Sequence, residues 1–479
     1  MRSKTRKSQK QKKKIVIDPA WELINPDAAG IDIGSREHWA CVPARSAEKN
    51  VRSFGTFTAD LEALAAWFQQ CGVKTVAMEA TGVYWIPVFQ ILERRGFQVV
   101  LVNARQTKNV AGRKSDVQDC QWIQRLHTYG LLQGSFRPKD PYCVVRTYLR
   151  YRDELVGART TQCQHLQKAL QQMNVPLHHV LSDVTGVSGL TIIEAILNGQ
   201  RDPVKLAAMV DRRVRASQGV IQKALVGDYR PEHLFVLKCA FELYHTYEAK
   251  INACDEQIVL EVAKLPDRVD VKVKPLPARK EGRRCCDDQM LNQDMRAALY
   301  PKLGVDLTAI EGIGVLTSLV ILTEVGPDLS LFPSEKHFAS WLGLCPDQRI
   351  SGGKVLSSRT RRVINRVSDA LRMGAVSLER SQSALGAFYR RMKAKLGAAE
   401  AVTATAHKLA RLIYRLLKHG EAYVRQGMEN YENQYQNRKL SALKKSATSM
   451  GFELVAKQPV APALDKNRIL NLSVGAGFG

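Results

Sequence analysis

No run of apolar residues in this 479-residue chain approaches the roughly 18 that a membrane-spanning helix needs. Met1 is followed by a basic stretch rather than by the apolar core of a secretory signal. The expectation is a protein that neither spans a membrane nor is secreted. Acidic residues are scarce: 46 Asp and Glu stand against 71 Lys and Arg, a formal charge of +25. Residues 1–14 hold eight basic and no acidic residues, so a basic tail explains only part of the excess and the folded body carries the rest. Such a surface can simply be solvated, but a polyanionic partner accounts for it better, and nucleic acid is favoured over an anionic membrane.

No C-x-x-C pair occurs among the ten cysteines at 41, 71, 120, 143, 163, 239, 254, 285, 286 and 345, and no His is spaced to complete a zinc site. A structural zinc is not expected. The irregular spacing fits a reducing cytoplasm in which thiols act as small apolar residues, with Cys285 and Cys286, in a polar stretch, the oxidation-prone pair. Against these absences, 45% apolar and 24% charged residues are the balance of a folded protein, and the length suits two or three domains.

From Ala28 the sequence reads as three meandering strands (around Ile31 and Ile33, Trp39 to Pro43, and Val51 to Phe57), a helix over 58–71, a strand at 73–78, a helix over 84–94 and a strand at 97–102. That succession predicts an α/β sheet of the ribonuclease-H-like kind. A long helix follows over 142–174, with Leu149, Val156, Cys163 and Leu170 at seven-residue steps. Pro231 opens a second, in which Leu237, Tyr244, Ile251, Ile258 and Leu265 keep the same period. The spacing predicts coiled-coil-like helices that pair as a hairpin or across subunits, or else two ordinarily packed helices. Between them, 182–230 reads as short helices broken by Gly186, Gly189, Pro203 and Gly227. Residues 266–301, rich in proline and charge, read as a linker or irregular insertion; 303–424 is helical again; and the last forty or so residues read as a mobile tail.

Two constellations carry chemistry. Asp32 lies in the strand Gly-Ile-Asp-Ile-Gly, where alternation sends Ile31 and Ile33 to one face and the carboxylate to the other. Glu79 ends the fourth strand, at the sheet's carboxyl edge, where α/β folds bind ligands. Asp116 and Asp119, three apart at a helix start, project from one face, beside Arg113 and Lys114. Taken singly, Asp119 is explained as a solvated helix residue and Asp116 as a cap. As a set, the four offer the all-oxygen ligands that hard divalent cations need for two-metal phosphoryl transfer, with basic neighbours suited to a phosphate backbone.

The second constellation lies downstream. Ile310-Glu-Gly-Ile-Gly resembles the hairpin of a helix-hairpin-helix, in which Gly312 and Gly314 let a helix amino end approach a DNA phosphate. Then comes Ser351-Gly-Gly-Lys354 before a basic helix carrying Arg359, Arg361, Arg362 and Arg366. A serine among glycines and cations suits a nucleophile whose neighbours stabilise charge developing on phosphorus; a plain Ser-Gly-Gly turn beside a solvated helix is the bland alternative.

In this order the two constellations resemble the DEDD-type insertion-sequence transposases, a family of bridge-RNA-guided serine recombinases, over most of residues 28–185 and 303–420. The resemblance implies a basic tail (1–27), a RuvC-like, ribonuclease-H-like catalytic domain (28–141), a helical coiled-coil region with an insertion (142–265), a linker (266–302), a mostly α C-terminal serine transposase domain (303–428) and a polar extension (429–479). It matches Asp32, Glu79, Asp116 and Asp119 to the family's four acids, holding Mg2+, two ions per site, and Ser351 to its nucleophile, which would form a covalent phosphoserine with DNA. It further implies a structured guide RNA that pairs with element ends and target DNA, a homodimer or homotetramer with a composite site between subunits, and a place in the bacterial cytoplasm with the nucleoid. The basic tail, the extra residues between about 186 and 302 and the polar extension depart from shorter family members. Three other readings stand beside this one: a metal-dependent Holliday-junction-resolving nuclease that uses no serine; a sugar kinase or actin-like ATPase, for which no second phosphate loop is seen; and a non-catalytic architectural protein, which leaves Asp32 and Glu79 unexplained.

Overall fold

Strict alternation along Gly-Ile-Asp-Ile sorts the first strand into two faces, and the fold of the N-terminal part follows from it. The computed structural model describes residues 22–80, 82–107, 116–278, 289–290, 293–361 and 363–453. The chain divides into two units, one ending at Arg137 and the other beginning at Pro138.

The first unit is a mixed α/β domain. Its elements are β1 (Ala28–Ile33), β2 (Glu37–Cys41), β3 (Val51–Gly55), α1 (Thr58–Gln70), β4 (Thr75–Glu79), α2 (Trp85–Arg94), β5 (Gln98–Val102), α3 (Ala104–Thr107) and α4 (Asp116–Thr128). The sheet order is β3-β2-β1-β4-β5, with β1–β2 and β2–β3 antiparallel and β1–β4 and β4–β5 parallel. Ala29, Ile31 and Ile33, with Val76 and Met78 of β4, join Leu61, Leu64 and Phe68 of α1 and Val88 and Leu92 of α2 in one apolar core. The even positions of β1 face the other way, onto α4. A Cβ on Gly30 would lie 2.3 Å from the Gln124 backbone nitrogen and 2.6 Å from the Cys120 carbonyl oxygen, so only glycine lets α4 lie this close to the strand. Gln124 Nε2 donates to the Ala28 carbonyl (3.2 Å), and the His127 ring meets Thr75 Oγ1 of β4 (2.9 Å).

The second unit is mostly helical. It begins with α5 (Asp140–Gln172), α6 (Val187–Leu197), α7 (Pro203–Ala208), α8 (Gln218–Ala224) and α9 (Pro231–Lys264). The long helices α5 and α9 pair antiparallel within the chain, as the hairpin alternative expected: Arg152 holds Asp255, Arg159 approaches Glu248 (3.7 Å), and Leu155 packs with Ile251 and Cys254. At their far end α6 to α8 supply Ile192, Ile193, Ile196, Leu206 and Ile221 to a core that also takes Leu166, Leu170, Leu237 and Tyr244. Gly189, expected to break a helix, lies inside α6, where its missing Cβ admits the Val184 carbonyl oxygen, 2.0 Å from the Cβ position.

Next come the two-residue pair β6 (Gln289–Met290) and β7 (Gln293–Asp294), then α10 (Met295–Leu303), α11 (Val315–Glu324), α12 (Glu335–Trp341), β8 (Arg349–Ser351), β9 (Lys354–Ser357), α13 (Arg366–Ser377), α14 (Ala384–Leu396), α15 (Ala398–His419) and α16 (Glu421–Ser449). The proline-rich stretch read as a linker is tied down at both ends. Buried Lys302 donates to the carbonyls of Ala263 and Leu265 at the end of α9, Arg268 N–H to Pro301 O (2.8 Å), and Arg296 pairs with buried Asp306 (2.6 Å). Asp294 caps α10 by accepting from the Arg296 and Ala297 N–H groups, so a helix forms inside a charge-rich segment. Likewise α16 runs to Ser449, through the first part of the expected tail, because Leu440-Ser-Ala-Leu-Lys-Lys is a run of helix formers free of glycine and proline. The eight described cysteines are free thiols, while Cys285 and Cys286 lie outside the described residues. Among the described residues no helix is long and apolar enough to cross a membrane.

Candidate functional site

Three elements of the first unit, β1, β4 and α4, carry the four acids Asp32, Glu79, Asp116 and Asp119. Asp32 faces α4 from β1. The parallel register Gly30↔Ala77, Ile31↔Met78 brings Glu79 next in line on the same face, since Val76 and Met78 point into the opposite core. Docking of α4 at Gly30 then presents its first turn, with Asp116 and Asp119, beside the end of β1. A helix amino terminus favours negative charge in its first turn, which offsets part of the cost of gathering acids there.

The electrostatics record the gathering. Burial first, and then the charges of Asp119, Asp116 and Glu79 in that order, together raise the Asp32 carboxyl to about 6. The three other acids are therefore close enough to oppose ionisation of Asp32. Among the described residues no three His, Cys, Asp or Glu side chains already stand at metal-holding distances. The donor set fits a hard divalent cation by its chemistry, being all carboxylate oxygen around a partly buried acid, and closing onto an ion is left to side-chain torsions.

Thr107, a residue that pattern reading passed over, is buried at the end of α3 and donates its hydroxyl to Glu79 Oε1. Thr107 Oγ1 also lies 3.0 Å from the Ala104 carbonyl oxygen. Only its position, just past the carboxyl end of β5, signals it in the sequence.

In the second unit Ser351 ends β8 and pairs with Lys354 across a two-residue loop. Gly352 (φ 55°) and Gly353 (φ 76°) both take left-handed conformations, the requirement of a type I′ hairpin that L side chains resist. Ser351 and Lys354 are exposed at its tip. The hairpin is anchored below by the Asp347 N–H donating to the Arg359 carbonyl (2.9 Å). The basic helix expected here starts only at Arg366, where Asn365 caps α13, and leaves Arg359 and Arg361 outside it; exposed Arg361 donates to the Ser340 carbonyl (3.1 Å) and Arg366 is held by Asp153. Arg113, Lys114 and Arg362 lie outside the described residues.

Gly312 takes φ 85° and meets α13 backbone to backbone: a Cβ there would lie 2.8 Å from the Gly374 carbonyl oxygen, so helix packing occupies the space its missing side chain leaves. Gly314 caps the amino end of α11, with open space where its Cβ would be.

Comparison with known proteins falls on the same two regions. A family model described as DEDD_Tnp_IS110, Transposase, matches residues 29–175, and one described as Transposase IS116/IS110/IS902 family matches residues 306–390. The chain is 35% identical over 127 residues, 24% of its length, to "Putative transposase y4pF/y4sB" of Sinorhizobium fredii. It is 30% identical over 176 residues, 36% of its length, to "Insertion element IS110 uncharacterized 43.6 kDa protein" of Streptomyces coelicolor. These matches span 32% and 42% of the relatives' own lengths. With both models on one chain, in this order and around these residues, the chain is similar in these two regions to the transposases of the IS110 family.

Proposed function

We propose that the protein is the transposase of an insertion sequence, a recombinase that cuts and rejoins DNA under the guidance of an RNA from its own element. Ser351 is its nucleophile, and Asp32, Glu79, Asp116 and Asp119 hold Mg2+. The observation that carries the reading is the convergence of three other acidic charges on half-buried Asp32, since a repulsive carboxylate cluster makes sense where a cation relieves it. The strand order β3-β2-β1-β4-β5 supports a ribonuclease-H-like domain, the net charge of +25 supports DNA and RNA as partners, and the exposed faces of α5 and α9 suit assembly into a dimer or tetramer.

A divalent cation at the acids would polarise phosphoryl oxygens and neutralise charge on the attacking and leaving oxygens. The chain's own groups do the rest. Rigid turn geometry at Gly352 and Gly353 holds the Ser351 hydroxyl at the hairpin tip, and Lys354 and Arg349 bring positive charge to an incoming phosphate. Ser351 Oγ gives up its proton and bonds to phosphorus; the phosphorus–oxygen bond to the leaving strand breaks, and that oxygen leaves as a hydroxyl. Guide pairing would read sequence while basic residues read backbone.

Strand exchange on the element's own ends, with RNA co-purified from cells carrying its flanking DNA, tests the reading. Asp32→Ala and Ser351→Ala should each lower exchange by at least about a thousandfold while DNA binding persists. Retained exchange in either variant overturns the role of that residue, and recovery of only heterogeneous RNA overturns guidance. One observation favours the junction-resolving nuclease as runner-up, namely that the acidic edge lies wholly within the first unit; that reading predicts normal cleavage by Ser351→Ala.

A further inference from the structure

We infer that Thr107 is a positioning residue that holds the Glu79 carboxylate in the orientation needed to receive a divalent cation, an inference that rests on the metal-site reading above. Glu79 is the last residue of β4, and three side-chain torsions separate its carboxylate from the strand. Asp32, next in line on the same face, repels it, so an untethered Glu79 would swing out towards solvent. Opposite Glu79, β5 ends at Val102 (register Glu79↔Val102), and the short helix α3 follows, with Thr107 as its last residue. Thr107 is only 2% exposed, yet its hydroxyl reaches Glu79 Oε1.

A threonine hydroxyl has one proton to give, and Glu79 Oε1 and the Ala104 carbonyl (3.0 Å) compete for it. Donation back to a carbonyl of its own helix is dispensable for a threonine. Donation to Glu79 is different, because it restrains Oε1 and leaves Oε2 to turn towards a cation beside Asp32. Hydrogen-bonded partners that aim a metal ligand in this way are worth about 10- to 100-fold in metal affinity.

The test uses the full-length protein and Mn2+ as probe, with binding followed by electron paramagnetic resonance of free Mn2+ and fold integrity by metal-free melting. Thr107→Val keeps the branched shape and removes the donor; it should weaken Mn2+ binding by about tenfold, whereas Thr107→Ser, which keeps the hydroxyl, should stay within about threefold of the parent. Asp32→Asn, which removes a proposed ligand charge, serves as the reference. Binding by Thr107→Val as tight as the parent's, with Asp32→Asn impaired, overturns the role of Thr107 and leaves the metal site standing. Binding that Asp32→Asn does not weaken overturns the metal-site reading, and the inference with it. Should Thr107→Val melt early, Thr107→Ala against Thr107→Ser decides in its place: equal affinities overturn the inference, and weaker binding by the alanine variant supports it.

Discussion

Asp32 lies on a strand with a neighbour on each side and a helix across its face, whereas Ser351 lies at the tip of a two-stranded ribbon whose residues are almost all exposed. The acid is located by packing: the core behind Ile31 and Ile33 fixes the strand, and the contact at Gly30 fixes the helix that brings two more acids. The serine is located by turn chemistry, through two left-handed glycines, a few cross-strand hydrogen bonds and the backbone bond between Asp347 and Arg359 at the hairpin's base. Packing can hold groups together against their mutual repulsion, and a turn cannot. A cluster that must keep like charges close therefore belongs on a sheet with a helix clamped to it, and a group that must fit itself to a large substrate belongs on a ribbon.

Glycines separate the two regions most sharply. Gly30→Ala would drive a Cβ into the backbone of α4, and should destabilise the first unit by about 2–3 kcal/mol and abolish metal binding as the acids part. Gly352→Ala meets no atom within 4 Å and faces only the strain of φ 55°, so it should cost about 1 kcal/mol at most, confined to the hairpin. Thermal melts of the two variants check this; equal losses would mean that α4 is not clamped at Gly30.

Protonation separates them next. The Asp32 carboxyl is raised from 3.8 to about 6, so between those values the folded state binds more protons than the unfolded one. Its contribution to stability is complete below 3.8 and is lost as pH rises through 6. The full shift would correspond to about 3 kcal/mol, which solvent screening of a half-exposed group cuts to about 1 kcal/mol. Melts in a chelator at pH 5 and pH 7.5 should show the metal-free protein gaining this on acidification. Asp32→Asn should flatten that part of the slope and melt higher than the parent at pH 7.5, with Ser351→Ala leaving both curves unmoved. An unchanged slope in Asp32→Asn would remove the repulsion from the account.

How much of this was legible in the sequence follows the same division. Period-two alternation exposed the strands, and an acid among apolar strand residues exposed Asp32, because both signals are local. The paired long helices were legible from the seven-residue spacing, though only their partner's register, seen at Arg152 and Asp255, settled that they pair within the chain. Thr107 was legible only by its place past the carboxyl end of β5, since its contact with Glu79 joins separate segments of the chain. Gly30 read as a strand residue, although its importance lies in a helix ninety residues away. Composition hid α10, whose cap and buried cations turn a charged segment into structure, and it hid α16, whose polar face resembles a tail until the run of helix formers is weighed.

The most direct test of the central claim is to stop the reaction in denaturing detergent and map any DNA-bound peptide. With element-end DNA, the co-purified RNA and Mg2+, the account predicts DNA joined covalently to Ser351, and no adduct from Ser351→Ala or Asp32→Ala. Cleavage at the parent's rate by Ser351→Ala, or DNA carried on any other residue, would contradict it.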